Sequence, residues 1–451
     1  MDCTVIRNAV VFTVNPQHSI YPNGAIVLRD DRIEAVGSAD DVQIPADVTH
    51  TIDCHGRMVV IPGLIDVHSH SSLLRGVTEN LQLLEWLPRY QLEHRALTEE
   101  DAYYAALLCY LEALKAGTTC VMDMFRYMHR CAEAAGVLGL RVNLVPYSAD
   151  LPDKNFFETP ETNRKLIETH HLSQNGRVRV WVGLEHLFYC SKDAYAKARE
   201  YANHYDVRIH THTSEQREEV DAVVKHFGKR PIELFNDLGI LGPKTAIAHC
   251  VWLNNDEIKL LADTGTSVAH CPISNAKLAG GIAPILKLKQ AGITIGLGTD
   301  GIISNNSLDL FEEMKFASLL QKVNHYDAAA LPAPEVLRMA TIEGARLLGL
   351  DHEIGSLEPG KKADVVLIDL WQPNLMPLVW DNDDTNILWN LVYAARGSNV
   401  HTVFVDGQMV VQAGRSTRVE EPAILGAVQT QTLDHLKRRE PFKSTSTPVV
   451  A

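Results

Sequence analysis

The sequence predicts an α/β fold, a (β/α)8 TIM-like barrel with a small β-sandwich domain formed from both chain termini. Three observations predict it. Eight apolar, strand-like runs alternate with helical patterns between residues 59 and 354, short strands divided by turn signals precede and follow them, and polar residues recur where the eight runs stop. Eight β/α units in roughly 300 residues are what a parallel barrel with modest insertions requires.

Taken in order, residues 3–57 read as short strands at 4–13, 25–28, 32–36 and 50–52, divided by Asn-Pro, Pro-Asn-Gly and Asp-Asp. The barrel strands follow at 59–67, 118–124, 141–147, 178–185, 207–211, 245–248, 266–269 and 294–299. Helical periodicity lies between and after them at 99–116, 194–204, 232–238, 256–263, 309–320 and 334–348. Beyond Gly355 the texture returns to strands at 363–369, 401–405 and 409–411, the last two joined at Asp406-Gly407, a hairpin signal. The predicted units are a composite β-sandwich from 1–58 plus 355–420, a catalytic barrel at 59–354, and a C-terminal segment at 421–451. That last segment reads as a helix at 424–438 and a Ser/Thr/Pro tail expected to be mobile.

With 451 residues and 46% hydrophobic content, the chain suits a large core carrying a smaller partner. It holds no run of eighteen apolar residues, and Met1-Asp2-Cys3-Thr4-Val5-Ile6-Arg7 lacks the order of an export signal, so a cytoplasmic protein that makes no membrane contact is expected. The eight cysteines contain no CxxC pair, and Cys109, Cys120 and Cys250 sit in apolar runs, as reduced core thiols do. A formal charge of −14 argues against nucleic acid and for a small neutral or cationic substrate.

The chemistry is expected at the C-terminal ends of the strands. The first run stops at His68 and His70, which two-residue periodicity puts side by side on one face. The fourth stops at Glu185-His186, the fifth at His210-Thr211-His212 with Glu215 beyond, and the sixth, seventh and eighth at His249, His270 and Asp300. One such histidine is ordinarily a hydrogen-bonded core residue, but five strands ending in His and a sixth in Asp point to a shared metal centre. His68, His70, His212 and Asp300 supply three imidazoles and a carboxylate, with one position left for water. No lysine on the fourth strand offers a bridge, so a single divalent ion per subunit is expected, Zn2+ by its nitrogen and oxygen donors, with Fe2+, Mn2+ or Co2+ able to use the same set. Such an ion lowers the pKa of its bound water toward neutrality. Glu215 lies close enough to move a proton to the substrate without binding the ion, and His249 is placed to hydrogen-bond the attacking water. The competing reading of Glu215 is a solvated carboxylate at a helix start.

Gly296-Leu297-Gly298-Thr299-Asp300-Gly301 matches GxGxxG, but Asp300 would place a carboxylate where a pyrophosphate belongs. The absence of P-C-x-x-C excludes the small zinc nucleoside deaminases.

Pro62-Gly63-Leu64-Ile65-Asp66-Val67-His68-Ser69-His70, His212-Thr213-Ser214-Glu215, Ala248-His249-Cys250, Ser274-Asn275-Ala276-Lys277-Leu278 and Gly298-Thr299-Asp300-Gly301 together resemble the amidohydrolase superfamily. Within it they are similar to the branch of S-adenosylhomocysteine/methylthioadenosine, adenosine-type, guanine and pterin deaminases and s-triazine hydrolases. Leu73-Leu74-Arg75-Gly76, Glu85-Trp86-Leu87 and the stretch 355–364 extend the likeness over nearly the full chain. The resemblance implies His68, His70, His212 and Asp300 as metal ligands, Glu215 and His249 as the proton-handling pair, and Asp300 as acceptor of the water proton. It further implies that His186 contacts the substrate ring, that Glu85 and Trp86 close over it, and that the protein is a homodimer or homotetramer. Tyr147 is expected beside these substrate contacts. Three departures bear on substrate: only Ser71-Ser72 separates His70 from Leu73, where the deaminases usually have four residues, 145–150 lacks the arginines that receive a substrate carboxylate, and strand four ends Gly183-Leu184-Glu185-His186 in place of Gly-Pro-His.

The function expected is hydrolytic deamination of a nitrogen heterocycle of purine, pterin or triazine type. Alternatives are dechlorination or cleavage of an s-triazine, aryl urea or carbamate by the same site, and a non-catalytic barrel module.

Overall fold

The computed structural model describes residues 2–381 and 384–439; the Ser/Thr/Pro tail lies outside the described residues. Eight consecutive parallel strands organise the catalytic part: β1 (Leu64–His70), β2 (Thr118–Phe125), β3 (Arg141–Pro146), β4 (Val178–Val180 and, past Trp181, Val182–Gly183), β5 (Ile209–Thr213), β6 (Thr245–His249), β7 (Ser267–His270) and β8 (Ile295–Leu297 and, further on, Asp300–Gly301). The two pieces of β4 belong to different five-stranded sheets, as do the two pieces of β8. Neighbour order follows chain order from β1 to β8 and returns to β1 where Asp300 pairs with Ser69, the cyclic order of a TIM-barrel-type α/β fold. Every residue of β1, β2, β3 and β6 is buried, which is why these strands read as unbroken apolar runs rather than alternating ones.

The expected strand at 59–67 divides at Gly63. Met58–Pro62 joins a sheet of the chain ends, and only Leu64–His70 belongs to the barrel-type set. A Cβ at Gly63 would lie 2.0 Å from Thr119 Oγ1, so no other residue fits this crossing. The helical pattern at 334–348 likewise divides, into Ala333–Met339 and Ile342–Leu348. Sequence periodicity missed Leu83–Ala96, which carries Pro88, together with Met128–Leu138, Pro160–His170 and Arg217–Phe227.

Helix Glu99–Lys115 starts on a reciprocal cap, with Asp101 N donating to Thr98 Oγ1 (3.2 Å) and Thr98 N to Asp101 Oδ2 (2.8 Å). The buried Asp101 also receives Gln431 (2.7 Å) and Arg438 (2.6 Å), and His435 Nδ1 lies 3.2 Å from it. A helix cap thereby docks the C-terminal helix Glu421–Arg438.

The chain ends meet in one nine-stranded mixed sheet. Its strands alternate faces with period two. Phe12, Val59, Ile61, Val366, Ile368 and Val403 join the main core, whereas Val11, Val60, Val365, Leu367 and Phe404 form a second apolar cluster on the other face. Across the seam, Arg141 of β3 is buried and donates to both oxygens of Asp364 (3.1 Å each) and to Asp406 Oδ1 (2.5 Å). Removing the arginine leaves the buried Asp364 without its cation, while Asp406 keeps only the longer contacts to Arg177 (3.4 Å) and Lys362 (3.8 Å). Arg141→Leu is therefore expected to lower unfolding stability by about 3–5 kcal/mol, read from the midpoint of guanidinium denaturation.

Candidate active site

Asp66, His68 and His70 share one face of β1, and all three are buried. Asp66 binds the end of β8: Oδ1 accepts from the backbone N–H groups of His68 and Thr299 (3.1 Å each), and Oδ2 accepts from Thr299 Oγ1 (2.6 Å). Burial pushes its carboxyl up to about 7 against these bonds. β8 can approach this closely because residue 298 is glycine; a Cβ there would sit 2.8 Å from His68 Cβ. Beyond it Asp300 takes a left-handed backbone (φ 60°), as do Ser214 (56°) and His249 (71°) at the ends of β5 and β6. Such residues are sparsely populated outside glycine, and here they turn the strand ends where the polar groups converge.

Hydrogen bonds fix which imidazole nitrogens stay bare. A carbonyl oxygen only accepts, so His210 Nδ1 donates to Ala246 (3.0 Å). Burial lowers His210 to about 3, so its ring is neutral and its Nε2 accepts from His68 Nδ1 (2.8 Å). His68 Nε2 is left buried with no hydrogen-bond partner, 3.8 Å from Asp300 Oδ1. His70 Nδ1 in turn meets the Met124 carbonyl (2.6 Å), which directs its Nε2 to within 3.1 Å of the same carboxylate oxygen. Asp300 Oδ2 accepts from Ser274 Oγ (2.5 Å). Burial opposes charge on Asp300, but its bond with His70 and the histidines around it hold the carboxyl below its usual range.

His68, His70 and Asp300 present donor atoms within 4.8 Å of one another, as do Glu215, His249 and Asp300. The His212 ring lies 5.7 Å from that of His68 and 5.9 Å from those of His70 and His249. An orphaned imidazole nitrogen among further imidazoles and one carboxylate suits a divalent ion of zinc type, and among the described residues the gathered donors include no cysteine. Glu215 Oε2 lies 3.7 Å from His249 Nε2, and His249 Nδ1 is held by Asn275 Oδ1 (3.0 Å). Burial, then Asp300 and Glu219, push the Glu215 carboxyl well above its ordinary value.

His70, His212, Glu215, His249 and Asp300 border a cavity of about 40 Å³. Helix Leu83–Ala96 covers it with Leu83, Trp86, Leu87 and Tyr90, and the ends of β3 and β4 add Tyr147, Glu185 and His186. Tyr147 stacks on His70 with ring centres 5.2 Å apart. Glu85 does not reach the cavity and is exposed; at 100° per residue, a helix that turns Leu83, Trp86 and Tyr90 inward turns Glu85 out. His186 lines the wall, but both its nitrogens are engaged, Nε2 with Glu219 Oε1 (3.3 Å) and Nδ1 with the Phe188 N–H (3.3 Å). The short Ser71-Ser72 link is pinned by Ser71 Oγ on Asp123 (2.7 Å) and Ser72 Oγ on Glu93 (2.9 Å). His270 is buried with neither nitrogen partnered and does not line the cavity.

Sequence reasoning missed two organising residues. His210 was visible, since it stands two residues before His212 just as His68 stands before His70. Glu219 was not, although it is fully buried and accepts from Thr213 Oγ1 (2.7 Å) and from the N–H groups of Ser214 (3.1 Å) and Glu215 (2.8 Å).

A profile of the Amidohydrolase family matches residues 59–410. The chain belongs to the amidohydrolase family. This amidohydrolase is similar to the 5'-deoxyadenosine deaminase of Methanosarcina barkeri, 36% identical over 431 residues that cover 94% of this chain and 96% of that protein. It is also similar to the 5-methylthioadenosine/S-adenosylhomocysteine deaminase of Moorella thermoacetica, 38% identical over 431 residues covering 95% and 97%. Among solved structures, the zinc-bound adenosine deaminase of Xanthomonas campestris superposes with a TM-score of 0.90 at 28% identity, covering 96% of this chain and 98% of that one. The atrazine chlorohydrolase of Arthrobacter aurescens complexed with zinc gives 0.88 at 26%, covering 95% and 100%.

Glu219 gives the amidohydrolase a measurable acid sensitivity. Burial opposes its charge, but His186, Thr213 and the loop N–H groups hold its carboxyl down at about 2, against an ordinary 4.5. A depressed carboxylate stabilises the fold above its ordinary value and loses that contribution as pH falls toward the folded one. The stability gap between wild type and Glu219→Gln should be full above pH 4.5 and narrow toward pH 2, measured by urea unfolding over that range; a gap independent of pH would contradict the assignment.

Proposed function

We propose that this amidohydrolase is a metal-dependent aminohydrolase that removes an amino group as ammonia from a nitrogen heterocycle of purine nucleoside type. The observation that carries the reading is the bare, buried His68 Nε2 facing Asp300 beside a buried Glu215 and His249 on one cavity. The names of the relatives, deaminases of deoxyadenosine and methylthioadenosine, support the same chemistry.

One divalent ion per subunit, zinc in our reading with Fe2+, Mn2+ or Co2+ as substitutes, would be held by His68, His70, His212 and Asp300. When bound, it supplies a water acidified toward neutral pH. Glu215, kept protonated by burial, carries a proton to the ring nitrogen that gains electron density and later to the departing amine. With Nδ1 held on Asn275, His249 offers Nε2 to the attacking water. Asp300, kept ionised by its neighbours, accepts the water's proton. Trp86, Tyr147 and His186 line the ring-binding space. Helix Leu83–Ala96 roofs that space.

The architecture that goes with this reading is a closed barrel at 59–354, a small sandwich from 1–58 and 355–420 built around the second apolar cluster, and a C-terminal segment at 421–451. Exposed Phe316, Leu319 and Val323 along helix Leu310–His325 support a homodimer or homotetramer. Among the described residues no helix is long and apolar enough to cross a membrane. We place the protein in the cytoplasm, acting on a small molecule, with neither nucleic acid nor membrane as partner.

Glu215→Gln should retain stoichiometric zinc by elemental analysis and lose about 10²–10⁴-fold in kcat for ammonia release. Chelation should abolish turnover and zinc restore it. Full turnover in E215Q would overturn the proton role, and chloride release from a chlorotriazine without ammonia from any amino heterocycle would move the activity to dechlorination.

A further inference from the structure

Strand β4 delivers two polar side chains to the cavity, and only one of them has a hydrogen-bonding position to spare. His186 spends Nε2 on Glu219 and Nδ1 on the Phe188 N–H, so it can offer a substrate its ring face but no donor or acceptor. Its neighbour Glu185 is 2% exposed, lines the same cavity, and has a buried Oε2 without a hydrogen-bond partner. The Glu185 backbone is anchored, its N–H donating to the carbonyl of Ser148 just past β3 (2.9 Å). The other walls do not answer it. Leu83, Leu87 and Leu278 are apolar, the Trp86 indole N–H is itself buried without a partner and does not bond Glu185, and the Tyr147 hydroxyl is taken by the Tyr90 hydroxyl (2.8 Å) and His70 Nδ1 (2.6 Å).

A buried carboxylate without a donor is costly, and in a substrate cavity the donor can come from the substrate. We propose that Glu185 is a specificity-determining, substrate-binding residue that selects heterocycles carrying a second N–H donor, an amino group or amidine edge distinct from the amino group that leaves. This rests on the deaminase reading above and names a substrate class within it: diamino rings in preference to the N9-substituted adenine of adenosine, whose ring offers only nitrogen lone pairs once the leaving amine is engaged. The exocyclic N–H of such a ring can donate to the unpartnered Oε2 of Glu185. The contact lies on the β3 and β4 wall, whereas the proton-handling Glu215, His249 and Asp300 stand on β5, β6 and β8, so it reads the ring without entering the reaction.

The test compares adenosine with 2-aminoadenosine in the zinc-loaded wild type, Glu185→Gln and Glu185→Leu, with zinc content and melting temperature checked for each. Wild type should favour the diamino ring in kcat/KM by about ten- to a hundredfold, the range of one hydrogen bond to a charged group. E185Q and E185L should lose that preference, read as the ratio of the two kcat/KM values within each variant. Equilibrium binding of 9-methyl-2,6-diaminopurine and 9-methyladenine by calorimetry separates the two readings. If wild type binds diaminopurine at least tenfold more tightly, and E185Q abolishes the difference, Glu185 has the assigned role even where no ammonia is released and the deaminase reading falls. Equal binding of both rings by wild type, or a preference that survives in E185Q, overturns the proposal.

Discussion

His68 Nε2 is an acceptor enclosed in the interior with no donor to meet, and leaving such an atom unsatisfied costs on the order of 1–3 kcal/mol. The chain does not relieve that cost and instead enforces it. His210 is neutral and anchored on Ala246, so His68 must give its one ring hydrogen to His210 and keep its other nitrogen bare. The Met124 carbonyl does the same for His70. Two imidazoles on alternate positions of one strand thereby aim Nε2 at one carboxylate, Asp300, whose charge is secured by Ser274 and His70. The arrangement is preorganised for a cation, since the electrostatic work of assembling it is done by backbone carbonyls and buried side chains before anything binds.

What keeps those strand ends in register is the packing behind them. Gly298 brings β8 against His68, Asp66 ties β1 to Thr299, and the left-handed backbones of Ser214, His249 and Asp300 turn each polar group toward a common centre. At the opposite side of the strands, Arg141 joins β3 to the sheet of the two chain ends through Asp364 and Asp406. The terminal sheet is thus bonded to the same strands that carry the site, and its burial of alternating faces makes it both a cover for the core and the seat of a second apolar cluster.

The strands and the ligand candidates were legible because both follow from short-range periodicity. A run of buried apolar residues that stops at His68-Ser69-His70, at His210-Thr211-His212 or at Asp300 can be read without knowing its neighbours. What could not be read depends on tertiary contacts. Glu219 looks like any acidic residue of a helix first turn until the loop N–H groups and His186 are seen to converge on it. Glu85 belongs to the matching motif, yet helical phase turns it to solvent and gives the cavity to Trp86 and Tyr90. His186 was anticipated as a ring contact, and the structure shows that its nitrogens are already spent, which shifts the polar interest of β4 to Glu185. Gly63 split an expected strand because its need for close approach to Thr119 is a packing fact, invisible in a pattern of hydrophobicity.

The central claim is that Nε2 of His68, Nε2 of His70 and the carboxylate of Asp300 form one cation site together with His212. It is tested most directly by an anomalous difference map at the zinc edge from crystals of the zinc-loaded protein. The account predicts a single peak per subunit, within about 2.0–2.2 Å of His68 Nε2, His70 Nε2, a His212 nitrogen and an Asp300 oxygen. A peak that leaves His68 Nε2 without a ligand bond, or two peaks in the cavity, would contradict it.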